Sequence, residues 1–110
     1  MQIENNVLFV ARKWGTFLQF CQNEKATVKL IRIKKDESMH YQFHRYRSEQ
    51  WYVINGKIKV TKGTKTTILE ADKFCTIDIG ERHKMEGIED SLVLEIARGH
   101  FDEDDIVHLD

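Results

Sequence analysis

Trp51-Tyr52-Val53-Ile54-Asn55-Gly56-Lys57-Ile58-Lys59-Val60-Thr61 is the stretch from which the fold is read. Aromatic and β-branched residues fill both flanks, and such side chains suit a pleated, half-buried surface. Asparagine and glycine both tolerate positive φ, so the Asn55-Gly56 pair predicts a two-residue type I′ turn and a β-hairpin. Lys62-Gly63 closes the second strand, and Thr66-Thr67-Ile68-Leu69 begins another. Residues 27–34 alternate Val28, Ile31 and Ile33 with lysine and arginine, and residues 74–79 read as a further strand. Residues 91–96 form a nearly continuous apolar run (Leu92, Val93, Leu94, Ile96) of the kind a buried strand carries. No segment sustains a helical period. Strands about 8–12 residues apart, with turn signals between them, imply an all-β sandwich or barrel.

The 110 residues predict a single domain, 1–110. Hydrophobic residues make up 41% and charged residues 32%, ordinary values for a soluble globular chain. The complete lack of proline excludes a proline-rich linker or a collagen-like repeat. Cys21 and Cys75 are far apart and in no CxxC pair, so free thiols in a reducing cytoplasm are expected. No apolar run approaches the ~20 residues that cross a bilayer, and the N-terminus lacks the basic start and apolar core of a secretion signal. A net charge of −1 favours neither nucleic acid nor a membrane surface as a partner. Its distribution is uneven: residues 1–67 carry 13 Lys+Arg against 5 Asp+Glu, residues 68–110 carry 4 against 13. Either strands pair basic against acidic residues across a sheet, or a basic pocket receives a small phosphate. The acidic run Asp102-Glu103-Asp104-Asp105 reads as a solvated edge.

Chemistry concentrates between His40 and Trp51. In an extended chain His40, Gln42 and His44 share one face, because side chains alternate with period two. Glu49 follows five residues after His44 and can return beside it across a turn, while His83 stands at the end of the predicted 74–79 strand. Two imidazoles, a carboxylate and an amide oxygen suit a borderline divalent ion such as Zn, Ni, Fe or Mn. Any one of these histidines is equally well satisfied by ordinary hydrogen bonds.

The spacing resembles that of the cupins. Asp36-x5-Gln42-x-His44-x4-Glu49-x6-Gly56 fits the first cupin motif, with Asp36 and Gln42 replacing glycine and histidine. Asp72-x5-Asp78-x-Gly80-x2-His83-x3-Gly87 fits the second, keeping its glycine and histidine. One branch is closer: the C-terminal isomerase domain of type II phosphomannose isomerase/mannose-1-phosphate guanylyltransferase. Its Q-x-H-x-x-R-x-E-H-W is matched by Gln42-x-His44-x-x-Arg47-x-Glu49-Gln50-Trp51. Its R-P-W-G opening corresponds to Arg12-Lys13-Trp14-Gly15, and its G-E-D-D-I-V-R close to Glu103-Asp104-Asp105-Ile106-Val107-His108. Gln50, Tyr46 and Ala97 depart from that branch, as do Lys13 and Asp78 where prolines are expected.

The resemblance implies an antiparallel double-stranded β-helix, the cupin or jelly-roll barrel. It implies a divalent metal, Zn first and Mn, Ni, Co or Fe as alternatives, on Gln42, His44, Glu49 and His83. The implied reaction interconverts mannose 6-phosphate and fructose 6-phosphate, with Arg47 the catalytic-site residue expected beside the substrate. The alternative role for Arg47 is a cross-strand ion pair. Arg12, Lys84 and Arg98 are weaker phosphate candidates, each with surface charge as its simpler role. Glu95 is either a group supporting the metal shell or a buried acid with a structural partner. Trp14 and Trp51 read as core aromatics, His100 and His108 as exposed. The expected partners are a small sugar phosphate, a second copy of the chain in a homodimer, and a separate nucleotidyltransferase, because no glycine-rich phosphate loop is present. Two other functions stay open: a non-catalytic carbohydrate-binding or regulatory cupin, and another metal-dependent cupin enzyme such as an oxygenase.

Overall fold

The computed structural model describes residues 2–4 and 7–110, and among them every strand pairing is antiparallel. A three-stranded N-terminal sheet is formed by β1 (Gln2–Glu4), β2 (Val7–Arg12) and β3 (Gly15–Gln19). Two larger sheets follow. One contains β4 (Ala26–Ile33), β11 (Ser91–Gly99), β6 (Arg47–Asn55) and β9 (Phe74–Ile77), in that order. The other contains β12 (Val107–His108), β5 (Gln42–Phe43), β10 (His83–Gly87), β7 (Lys57–Lys62) and β8 (Lys65–Glu70). The chain alternates between these two sheets, which is the antiparallel double-stranded β-helix expected of a cupin. No helix of the described residues is long and apolar enough to cross a membrane.

The core lies between the two larger sheets. Trp51, Val53, Ile77 and Val93 come from one, Ile58, Val60, Leu69 and Met85 from the other. Along β6 and β11 the inward residues recur every second position, the strand period made visible as burial. Each large apolar side chain removed from water contributes about 1.5–3 kcal/mol.

The expected Asn55-Gly56 hairpin is corrected. β6 pairs with β11 and β9, whereas β7 pairs with β10 and β8, so Gly56 carries the chain from one sheet to the facing one. Asn55 keeps negative φ, which a type I′ turn does not allow, and Gly56 alone takes φ of +96°. A Cβ at Gly56 would stand 2.6 Å from the Asp90 carbonyl oxygen, so the corner is packed too closely for any side chain. Ser91 Oγ seals it, accepting from Lys57 N at 2.9 Å and donating toward Glu89 O at 2.8 Å. Two-residue hairpins instead join β7 and β8 at Gly63-Thr64, with Lys62 opposite Lys65, and β2 and β3 at Lys13-Trp14, with Arg12 opposite Gly15.

The uneven charge resolves in part into pairing across strands: Lys59 stands opposite Glu86 (Nζ–Oε2 3.7 Å) and Lys57 opposite Glu70 (3.7 Å). Cys21 and Cys75 are free.

Candidate metal centre

One end of the barrel interior is polar. Gln42 opens β5 and lies directly across the ladder from His83, the first residue of β10, so the two side chains share a face. His44, two positions beyond Gln42, continues that face, and its carbonyl accepts from Gly80 N (2.8 Å) in the turn that leads to His83. β6 starts at Arg47, and its inward residues run Arg47, Glu49, Trp51 and Val53.

His44, Glu49 and His83 are all buried, and their potential ligand atoms lie within 4.8 Å of one another. His44 Nε2 is 3.6 Å from Glu49 Oε2, and His83 Nε2 is 4.0 Å from Glu49 Oε1. Both imidazoles are fixed from behind: His44 Nδ1 donates to the Asp105 carbonyl (2.7 Å), His83 Nδ1 to the Glu81 carbonyl (2.8 Å). A carbonyl only accepts, so Nδ1 carries the proton and the Nε2 lone pair faces inward on each ring. Metal-ligating histidines are held by this arrangement. Burial holds His83 below the usual histidine range, against the opposing pull of the Glu81 carbonyl and the Glu49 carboxylate, which keeps it neutral and ligand-competent. Its Nε2 is buried with no hydrogen-bond partner. An unsatisfied buried acceptor is costly, and a divalent cation among two imidazoles and a carboxylate satisfies it. The donor set therefore fits the ion that the fold implies.

Arg47 and Glu95 complete the electrostatics. Arg47 Nε donates to Glu49 Oε2 at 2.9 Å, Nη1 to the Asp102 carbonyl at 2.9 Å, and Nη2 lies 3.4 Å from His44 Nε2. The Phe101 ring stacks under the guanidinium, 4.4 Å from Cζ. Glu95 is buried, accepts from Trp51 Nε1 (3.2 Å) and shares a hydrogen bond with Glu49. Burial first, then the Glu49 carboxylate, pushes Glu95 up to about 7, so it keeps its proton beside Glu49 below that pH. The Asp105 carboxylate accepts from Arg45 N (2.9 Å) and Tyr46 N (3.0 Å), fixing the loop between His44 and β6.

The structure thus brings Gln42, His44, Glu49, His83 and Arg47 together. Three expectations about this region, and the one for Trp14, are corrected. His40 does not face the group: it is exposed, 3.2 Å from Asp110 Oδ1 and stacked on His108, because β5 is only two residues long and the chain before it bends outward. His83 begins its own strand after the Gly80 turn (φ +77°) and does not end β9. Arg47 forms its ion pair within its own strand and not across strands. Trp51 is fully buried, whereas Trp14 is 76% exposed and is no core residue. Arg12 is at the surface, Lys84 pairs with Glu86 (3.3 Å), and Arg98 lies 3.8 Å from Glu24. Asp105 escaped sequence reasoning because it sits in an acidic run. Lys29 escaped too, although alternation along β4 puts it on the inward side with Ile31 and Ile33.

With this geometry in hand, a family model described as "Mannose-6-phosphate isomerase C-terminal" matches residues 2–110. The chain is 37% identical over 101 residues to mannose-1-phosphate guanylyltransferase 2 of Escherichia coli O157:H7, covering 89% of this chain and 21% of that protein. It therefore spans about a fifth of the length of the curated relatives it matches. A protein with a double-stranded β-helix domain from Klebsiella pneumoniae superposes with a TM-score of 0.67 at 14% identity, over 80% of this chain and 73% of that one. A sugar phosphate isomerase from a cupin superfamily from Silicibacter pomeroyi gives 0.63 at 13% identity, over 70% and 52%. At such identities these two likenesses establish the fold alone.

Proposed function

The chain belongs to the mannose-6-phosphate isomerase C-terminal family, and on that premise we propose that it is a metal-dependent isomerase interconverting mannose 6-phosphate and fructose 6-phosphate. The observation that carries this reading is the unpartnered, buried Nε2 of His83, 4.0 Å from Glu49 Oε1. A divalent ion, zinc first, held by His44, Glu49 and His83 with the Gln42 amide as a fourth donor, would supply Lewis-acid polarisation of the sugar carbonyl. The remaining work falls to side chains of this chain. Asp105 and Glu81 hold His44 and His83 in the Nδ1–H form. Arg47 orients Glu49 through Oε2, and its fixed positive charge beside the site favours the negative charge that develops on the sugar oxygens. Glu95, itself held by Trp51 Nε1, shares a hydrogen bond with Glu49, and all three side chains are buried.

The test is a coupled assay for fructose 6-phosphate on protein loaded with Zn, Mn, Ni or Co. Turnover with at least one metal is expected, and its absence with every metal at full occupancy overturns the reading. A second reading, a carbohydrate-binding cupin without turnover, is favoured by one observation: Arg47 already engages both Glu49 and His44. The same assay decides between the two.

Several broader features belong to the same proposal. Residues 1–110 act as one cupin domain. Nucleotidyl transfer belongs to a transferase unit, separate or fused, because the relatives named guanylyltransferase are about five times longer than the match. The free thiols accord with a cytoplasmic setting. A homodimer is proposed through the long edge strand β4, whose outward Val28 and Leu30 are 59% and 61% exposed. Light scattering at a mass twice that of the chain is the expected result.

A further inference from the structure

His44, Glu49 and His83 are 2%, 3% and 0% exposed, so no sugar reaches them in the arrangement described. What covers that end is the segment between Gly99 and Asp105. Phe101 lies against Arg47, the Asp102 carbonyl accepts from Arg47 Nη1, and Glu103 Oε1 is 2.6 Å from Lys29 Nζ. Lys29 Nζ also stands 4.4 Å from the centroid of the Phe101 ring, the same distance as Arg47 Cζ. Two cations that belong to the barrel wall therefore converge on one covering loop.

Lys29 is the unusual member. It occupies an inward position of β4, opposite Glu95, where the following inward residues are Ile31 and Ile33 packed against the core. Its ammonium reaches past the strand edge to a carboxylate on a segment without secondary structure, whereas Lys57 and Lys59 pair with neighbouring strands.

We propose that Lys29 is the phosphate anchor of the substrate site, and that Glu103 occupies this anchor until a sugar phosphate displaces it. The inference rests on the sugar-phosphate reading above and extends it to the end of the substrate remote from the carbonyl. A phosphate monoester carries about −1.5 to −2 charges at pH 7 against −1 for a carboxylate, and offers three acceptor oxygens. It therefore competes well for an ammonium that a single glutamate holds. The covering segment is held at both ends, by the pairing of Gly99 with Arg47 and by the Asp105 bonds to the Arg45 and Tyr46 amides, so displacement of Glu103 involves only the residues between them. Asp102 and Asp104 travel with the loop, which removes their charges from the phosphate as Glu103 leaves.

The experiment is calorimetric titration of zinc-loaded protein with mannose 6-phosphate, inorganic phosphate and mannose. Lys29→Gln is expected to weaken mannose 6-phosphate binding about tenfold or more, the scale of one charge-assisted hydrogen bond, with zinc stoichiometry and mannose binding unchanged. Glu103→Gln, at a side chain 72% exposed and harmless to folding, is expected to tighten mannose 6-phosphate and phosphate several-fold. Wild-type affinity in Lys29→Gln, weaker binding in Glu103→Gln, or wild-type protein that binds mannose 6-phosphate no better than mannose each overturns the proposal. Failure of the isomerase reading is a different result, the absence of fructose 6-phosphate formation, which these titrations do not report.

Discussion

The two ends of the barrel interior are built from the same strands and differ only in what those strands carry. On β6 the inward side chains run Arg47, Glu49, Trp51 and Val53; on β10, His83 and then Met85; on β11, Val93 and then Glu95. In each case one end is ionisable and the other apolar, and Trp51 marks the border, touching Glu95 through its N–H and His83 edge-on at 5.5 Å. The apolar end holds the sheets together. The polar end lowers stability by burying charge, and makes no sense as packing. Architecture and site are thus separable along single strands, and substitutions at neighbouring inward positions should fail in different ways.

The widest separation is expected between His83 and Met85. His83→Ala should abolish stoichiometric zinc, measured by metal analysis after gel filtration, while the metal-free variant unfolds near the metal-free wild type. Retained stoichiometry would break the division. Met85→Ala should cost about 2–5 kcal/mol in denaturant unfolding, because it leaves a cavity among Trp51, Val53 and Ile58, and should leave zinc stoichiometry intact in the folded fraction. Asp105→Ala sharpens the polar half: freeing the Arg45 and Tyr46 amides loosens the loop behind His44, and zinc affinity should fall about 10–100-fold in competition with a chelator. Cys75 tests the apolar half by reactivity. Burial pushes its thiol up to about 12, so alkylation at pH 8 should be slow, accelerate with each unit of pH toward that value, and become rapid in denaturant. Glu86→Ala, which removes a surface partner of Lys59, should change unfolding free energy by less than about 1 kcal/mol.

Much of this division was legible in the sequence, but unevenly. Strand content followed from alternation and turn residues, and the strands at 26–33, 47–55, 57–62, 65–70 and 91–99 lie where β-branched runs placed them. Gln42, His44, Glu49 and His83 were legible because motif spacing encodes a register between strands that local patterning does not show. The Asn55-Gly56 pair misled because turn chemistry reports a change of direction, not which strand becomes the neighbour. Packing of the Asp90–Ser91 backbone against Gly56 decides that, and its cause lies 34 residues away. The two-residue strands β5 and β12 carry too few residues for any period to register. Asp105 and Lys29 were hidden because an acidic run and a lysine on an alternating strand look like surface until the covering loop is placed over them.

The bond between His44 and the Asp105 carbonyl joins residues 61 apart in the chain. At the ~5–20 residues per second of protein synthesis, roughly 3–12 s separate the appearance of the two. During that interval the imidazole has no tautomer imposed on it and the loop before β6 has no anchor, and for most of it β4 has no β11 to pair with. The polar end of the barrel is therefore completed only once residue 105 is made, whatever the order in which its side chains appear. A nascent chain halted before residue 105 would carry His44, Glu49 and His83 and still lack the carbonyl that fixes the His44 ring.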